Sequence, residues 1–312
     1  MSTQPLVCSA LSKALGLGLS LLRVSPVLLL ASCGGGIEPT VPVVNSISIV
    51  GTPSYGRNTQ VVVTGTSLDQ GITVQTSTCN RNGSLLTVAP TASDARTAYF
   101  QIPCPEAVVG SITAGVFRDS SGVSLGTATY TVPTPQVTMA VGNGSNSLGS
   151  FVITLDPAKA PVTVNNFLNY VNTRFYEGVV FHRNSPNFVL QGGGFNNGLN
   201  PANPVPAVKT PNAAIVLEDN AGLSNLQWTV AMARTDLPNT ATSQFFINLV
   251  NNPFLDRTST ARGFAVFGTV TAGTGVITAL TAAPCVAYPA LVGNGECLPF
   301  PNLVITSATQ TR

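Results

Sequence analysis

From Val44 onward the chain is a succession of short β-favouring runs broken by turn-forming residues, and this punctuation constrains the fold more than any other feature. Between residues 44 and 133 the runs SISIV, TQVVVTGTSL, ITVQTS, LLTVA, TAYFQI, ITAGVFRD and ATYTV follow one another, separated by Gly, Asn, Asp, Ser and Pro. No stretch of helical period interrupts them, so a small β-sandwich is expected there. The 29 Gly and 23 Pro among 312 residues agree with turns and strands rather than long helices. That length suits roughly two domains. A hydrophobic content of 44% excludes bulk disorder. Charged residues are only 8% of the chain, and a net charge of +2 without any Lys/Arg cluster offers nucleic acid no electrostatic footprint.

Residues 1–32 carry two charges, Lys13 and Arg23, around the apolar stretches ALGLGLSLL and VLLLA. Gly16, Gly18, Arg23 and Pro26 interrupt this run, so it reads as a secretory signal rather than a clean membrane span. Leu30-Ala31-Ser32-Cys33 resembles a bacterial lipobox, which implies cleavage before Cys33 and acylation of that cysteine. Cleavage would leave 12 of the 14 basic residues against 12 acidic ones, so membrane attachment would depend on the lipid alone. Residues 33–43, rich in Gly and Pro, read as a tether. Gly34 after the cysteine implies sorting to the outer membrane, with the protein facing the periplasm.

Setting aside Cys8 in the signal and Cys33 leaves Cys79, Cys104, Cys285 and Cys297. Counting does not separate the three possible connectivities. Each candidate domain holds two of these cysteines, so the expected pairs are Cys79 with Cys104 and Cys285 with Cys297. The spacings fit no zinc motif, and an oxidising compartment favours disulfides over a metal site.

Pro133-Thr134-Pro135 reads as a stiff linker into a second domain, residues 136–312. The runs 137–141 and 150–155 flank NGSNSLG as a hairpin. Val164, Phe167, Leu168 and Val171 then recur at helical spacing behind Pro161, which suits a first helical turn. GTGVITAL supplies a second, shorter helix, and residues 285–300 read as an insertion before the last strand, LVITSAT.

Two resemblances follow from particular residues. Through VVVTGTSL and the GITV strand, residues 44–133 resemble the TIG type of immunoglobulin-like domain, which implies a spacer or binding module. In the second domain, FHR at 181–183, the PNF step at 186–188, QGGGF at 191–195, TVAMAR at 229–234, NTATSQFFIN at 239–248, FLD at 254–256 and FAVFG at 264–268 resemble the cyclophilin family of peptidyl-prolyl isomerases, in the family's order. That resemblance implies a closed eight-stranded β-barrel with a helix at each end, and an enzyme that needs no metal or cofactor. Its partners would be proline-containing polypeptides, and the molecule is expected to act as a monomer.

The resemblance places the catalytic arginine at Arg183. A guanidinium stays protonated and can donate to the prolyl nitrogen, which becomes an acceptor once amide resonance is broken in the twisted state. Without the motif, a structural ion pair with one of the few carboxylates would be the simpler reading. By the same resemblance Phe188, Val189, Phe246 and Leu255 line the proline pocket, while Gln191 and Gln244 anchor the substrate backbone. Ala233, Arg234 and Thr235 fall on the segment that pairs with the extended peptide. Phe254, where the family often has a tryptophan, and Phe264, where its best-known eukaryotic members have a histidine, are expected to contact substrate as well. Asn184-Ser185 replaces an apolar pair, and Val189 a common methionine. His182 is assigned no catalytic role, because strand alternation would send it away from Arg183. Two rivals remain on sequence grounds: a proline-peptide-binding module with little turnover, and a structural surface lipoprotein acting through residues 44–133.

Overall fold

Two β-sheet assemblies follow one another along the chain in the computed structural model, which describes residues 40–312 except 78, 80–82, 105–107, 120, 145 and 203–206. Cys33 and the signal-like segment lie outside the described residues. The first assembly holds β1 (Val43–Val50), β2 (Thr59–Thr66), β3 (Ile72–Thr76), β4 (Leu86–Val88), β5 (Ala92–Ser93), β6 (Thr97–Ile102), β7 (Gly110–Arg118) and β8 (Ser124–Val132). They form two four-stranded antiparallel sheets, ordered β1-β2-β6-β5 and β4-β3-β7-β8. Along β2 and β3 every second residue is buried, the alternation expected of sheets that share a core on one face. A disulfide joins Cys79 to Cys104 within this core.

The second assembly begins with the hairpin β9 (Gln136–Gly142) and β10 (Ser147–Leu155), followed by helix α1 (Pro161–Asn172). Then come β11 (Val179–Ser185), β12 (Val189–Asn196), β13 (Thr229–Met232), β14 (Phe245–Asn248), β15 (Val266–Ala272) and helix α2 (Thr274–Thr281). A two-stranded hairpin, β16 (Cys285–Val286) with β17 (Leu298–Pro299), precedes β18 (Leu303–Gln310). Strands β10-β15-β13-β14-β12-β11-β18-β9 close into a barrel, which leaves no open edge among them. Its interior is filled rather than hollow: Phe151, Phe181, Phe245 and Phe267 are fully or nearly fully buried. Helix α1 begins at Pro161 and turns its apolar stripe inward, so that Phe167 meets Phe245 edge-on at 5.6 Å and Phe267 at 5.0 Å.

Candidate active site

Arg183 owes its position to an irregularity in β11. The register runs Phe181 opposite Gly192 and Arg183 opposite Gln191, so β11 carries one residue more than β12 across this step. Such a bulge reverses the alternation of faces. Phe181 therefore points into the barrel, where it meets Phe151 and Phe245, while Arg183 two residues later lies on the outer face beside Gln191. The row continues across the sheet from Gln191 to Phe246 on β14 and Ala231 on β13. Side chains in register on adjacent strands are neighbours, which is how motifs far apart in sequence reach one surface.

The glycines of QGGGF make room for this row. A Cβ at Gly194 would stand 2.6 Å from the Gln244 amide nitrogen, and one at Gly193, whose φ is +97°, would stand 2.6 Å from the Ser243 carbonyl oxygen. Without side chains there, Gln244 can reach Gln191, whose Nε2 donates to Gln244 Oε1 at 2.9 Å. Arg183 Nη1 in turn donates to Gln191 Oε1 at 2.8 Å. At the other end of this polar chain, Arg183 Nε donates to Glu296 Oε2 at 2.8 Å and Nη2 donates to Glu296 Oε1. Three of the five guanidinium donors are thus engaged, leaving one on each terminal nitrogen. The arginine is both a cleft residue and a member of an ion pair, so the structural reading of Arg183 and the functional one describe the same side chain. Hydrogen bonds from Arg183 hold the Glu296 carboxyl below its ordinary value.

The cleft around Arg183 has a volume of about 440 Å³. Phe188, Val189, Ala233, Phe246, Leu255 and Phe264 line its apolar part, and Gln191, Gln244 and Arg234 its polar part. Two of these lining residues, Val189 and Phe246, pack with Ala231 and Val266 in a small buried cluster. The Arg183 guanidinium also lies 5.7 Å from the centre of the Phe188 ring. Phe254 is not in the lining: it is 70% exposed and stacks on Phe188 at 5.7 Å. Thr235 lies on a smaller adjoining cavity with Thr240 and Thr242.

The backbone donors on that side are already committed, Ala233 N–H to the Gln244 carbonyl and Thr235 N–H to Thr240 Oγ1. Arg234 donates to the backbone carbonyls of Gly263, Thr235, Asp236 and Arg262 while lying over the Phe264 ring. It serves the site as a wall and a brace for the loop, with most of its donors used. His182 is buried edge-on against Phe195, and burial, aided by the charge of Arg183, pushes its pKa down to about 3. A neutral, enclosed imidazole has no proton to trade near neutral pH.

Two carboxylates brace the segment that carries Leu255 and Phe264. Asp219, its side chain fully buried, accepts hydrogen bonds from Arg262 Nε and Nη2 and from Gly263 N–H, at 2.7, 2.6 and 2.9 Å. Asp256 accepts from the backbone and side-chain nitrogens of Asn225, at 2.7 and 2.8 Å. Neither these braces nor Glu296 and Leu291, which also line the cleft, were found from the sequence. Glu296 belongs to none of the recurring motifs; the only available signal was a carboxylate next to Cys297 in a chain with few acids.

Residues 137–309, more than half of the chain, match the family model for cyclophilin type peptidyl-prolyl cis-trans isomerases. The chain belongs to this family. Peptidyl-prolyl cis-trans isomerase A of Dickeya dadantii is 45% identical over 129 residues, 41% of this chain and 64% of that protein, just under two thirds of its length. A peptidyl-prolyl cis-trans isomerase of Acinetobacter baylyi is 43% identical over 46% of this chain and 72% of its own length. Isomerase B of Escherichia coli is 43% identical over 41% of this chain and 76% of its own. A crystal structure of a Cryptosporidium parvum cyclophilin aligns with 57% of this chain and 98% of its own, at 19% identity and a TM-score of 0.43. The cyclophilin assignment covers the barrel, and residues 43–132 lie outside the matched stretch.

Proposed function

We propose that the cleft accelerates cis-trans interconversion of Xaa-Pro bonds in exported polypeptides, with Arg183 as the donor that meets the prolyl nitrogen in the twisted state. The observation that carries this reading is a guanidinium held at the edge of an apolar pocket with donors to spare. Isomerisation about Xaa-Pro faces a barrier of ~18–20 kcal/mol because rotation breaks amide resonance. A donor that is satisfied only in the twisted state lowers that barrier without tightening ground-state binding. Phe188, Val189, Phe246 and Leu255 would hold the ring and exclude water, which strengthens the contact. Gln191 and Gln244 carry amide groups suited to the flanking backbone. Export and anchoring rest on the lipobox-like residues 30–33, and action on folding clients outside the cytoplasm rests on that export.

The test is turnover of an Xaa-Pro peptide measured by exchange NMR. Arg183→Ala should lose ~10²-fold in kcat, the scale of removing one preorganised donor. Arg183→Lys should not restore it, because a compact ammonium cannot reproduce the fork. KM should move less than kcat, since the contact forms at the transition state. A folded Arg183→Ala chain with nearly full turnover would remove the arginine from the mechanism. For the anchor, Cys33→Ala should abolish incorporation of labelled lipid, and continued labelling would reject the acylation site.

A further inference from the structure

The loop between Cys285 and Cys297 is packed against barrel strands. Its ends are joined by a disulfide and by the β16–β17 hairpin. Cys297 exchanges backbone hydrogen bonds with Asn184, the residue after Arg183: Asn184 N–H donates to Cys297 O at 2.9 Å and Cys297 N–H to Asn184 O at 3.0 Å. Tyr288, Val292 and Leu298 are buried against Val180, Phe195 and Val304 in an apolar cluster separate from the barrel core. Glu296 is therefore delivered to Arg183 by a docked strand end. Its Oε2 accepts a further hydrogen bond from Gly293 N–H at 3.0 Å, which fixes the carboxylate from within its own loop. The pair is largely enclosed, with side-chain exposures of 26% for Arg183 and 17% for Glu296.

We infer that Glu296 is a positioning residue for Arg183, and that the Cys285–Cys297 loop is a wall of the active site whose role is to present it. The inference rests on the catalytic reading of Arg183 given above. Glu296 takes the Nε and Nη2 donors side-on while Gln191 takes one on Nη1, so the guanidinium plane is held from the loop on one side and from β12 on the other. A free arginine side chain samples many rotamers, whereas this one is oriented before substrate arrives, and orientation is where a fixed donor gains its effect.

The experiment uses the full chain with its disulfides intact and compares Glu296→Ala, Glu296→Gln, Arg183→Ala and the Arg183→Ala/Glu296→Ala double variant, by exchange NMR on an Xaa-Pro peptide. Glu296→Ala should lower kcat by about tenfold, in the range seen when the hydrogen-bonded support of a functional group is removed, with KM little changed. Glu296→Gln keeps an acceptor and should lose less. The Arg183 Nε–H resonance, hydrogen-bonded to Glu296, should be protected from exchange in the wild type and lose that protection in Glu296→Ala. On the Arg183→Ala background, Glu296→Ala should cost nothing more. An unchanged or raised kcat in folded Glu296→Ala would overturn the inference, a rise marking the carboxylate as a brake. An additive loss on the Arg183→Ala background would overturn it too, since Glu296 would then act elsewhere. If Glu296→Ala does not fold, the Glu296→Gln comparison decides, full turnover with an unprotected Nε–H counting against. Full activity of Arg183→Ala would sink the arginine mechanism itself, whereas a dead Arg183→Ala beside a fully active Glu296→Ala sinks only the positioning role.

Discussion

Arg183 and Phe181 are two residues apart and face opposite ways, so a single inserted position in β11 separates the catalytic candidate from the barrel core. Were residues 181–183 to run in simple alternation without the bulge, Arg183 would share the inward face of Phe181, and charge without partners in such a core is not tolerated. Asp219 works at the same scale by a different means. Its carboxyl is held down to about 2 from 3.8, chiefly by the hydrogen bonds from Arg262. A depressed folded-state pKa adds stability that is fully present above the unfolded value and is lost as pH falls from about 4 through about 2. The shift corresponds to about 2 kcal/mol. Asp219→Asn should accordingly destabilise the chain by about that amount at pH 7 and flatten the acid limb of its stability curve, as read by urea melts between pH 2 and 7. Equal acid sensitivity in both proteins would show that Asp219 is not the titrating brace.

Helix α1 depends on groups supplied by other elements. It lacks a side-chain N-cap of its own, and Glu218 accepts from Val162 N–H at 3.1 Å and Thr163 N–H at 2.8 Å, placing a negative charge where the helix dipole favours one. At its inner face Phe167 is wedged among Tyr176, Phe245 and Phe267. Phe167→Ala should therefore cost ~3–5 kcal/mol by calorimetry or denaturant titration, since a rigid closed barrel collapses poorly around the vacated volume. The Cys285–Cys297 loop is the other element with a defined consequence. Closing a ring of this size by a disulfide contributes about 3 kcal/mol through the unfolded chain. Cys285→Ser with Cys297→Ser should lower the melting temperature and, by loosening Glu296, reduce kcat in step with Glu296→Ala. A melting shift without a kinetic one would mean that the buried Tyr288 and Leu298 hold the loop unaided.

On the scale of the molecule, both sheet assemblies fall within one compact unit, Pro39–Arg312. Arg57 Nη2 donates to Asn172 Oδ1 at 2.6 Å, Asn172 Nδ2 to Gln310 Oε1 at 3.1 Å, and Gln310 Nε2 to the Tyr55 carbonyl at 2.9 Å. These bonds join the first assembly to α1 and β18, while every residue lining the cleft lies between 182 and 296. Residues 136–312 expressed alone should thus keep isomerase turnover and lose some thermal stability. Loss of turnover in a folded fragment would assign residues 44–133 a part in catalysis beyond that of a spacer.

The sequence by itself determined the parts governed by local rules. Alternating apolar residues and turn formers placed the strands, Pro161 and an i, i+3, i+4, i+7 stripe placed α1, and the ordered motifs from FHR to FAVFG hold most of the residues that line the cleft. What only the tertiary structure decided lies between residues remote in the chain or hidden in a register. The bulge at His182 leaves no mark in composition, because a bulge is defined by what stands opposite on β12. The bonds from Glu218 to α1 and from Asp219 to Arg262 exist only once loops have docked. Glu296 meets Arg183 across 113 residues because an insertion with its own apolar cluster folds back onto β11. Hydrophobic periodicity sets elements within a window of some ten residues, whereas the partner of a charge is set by which surfaces the closed barrel brings together.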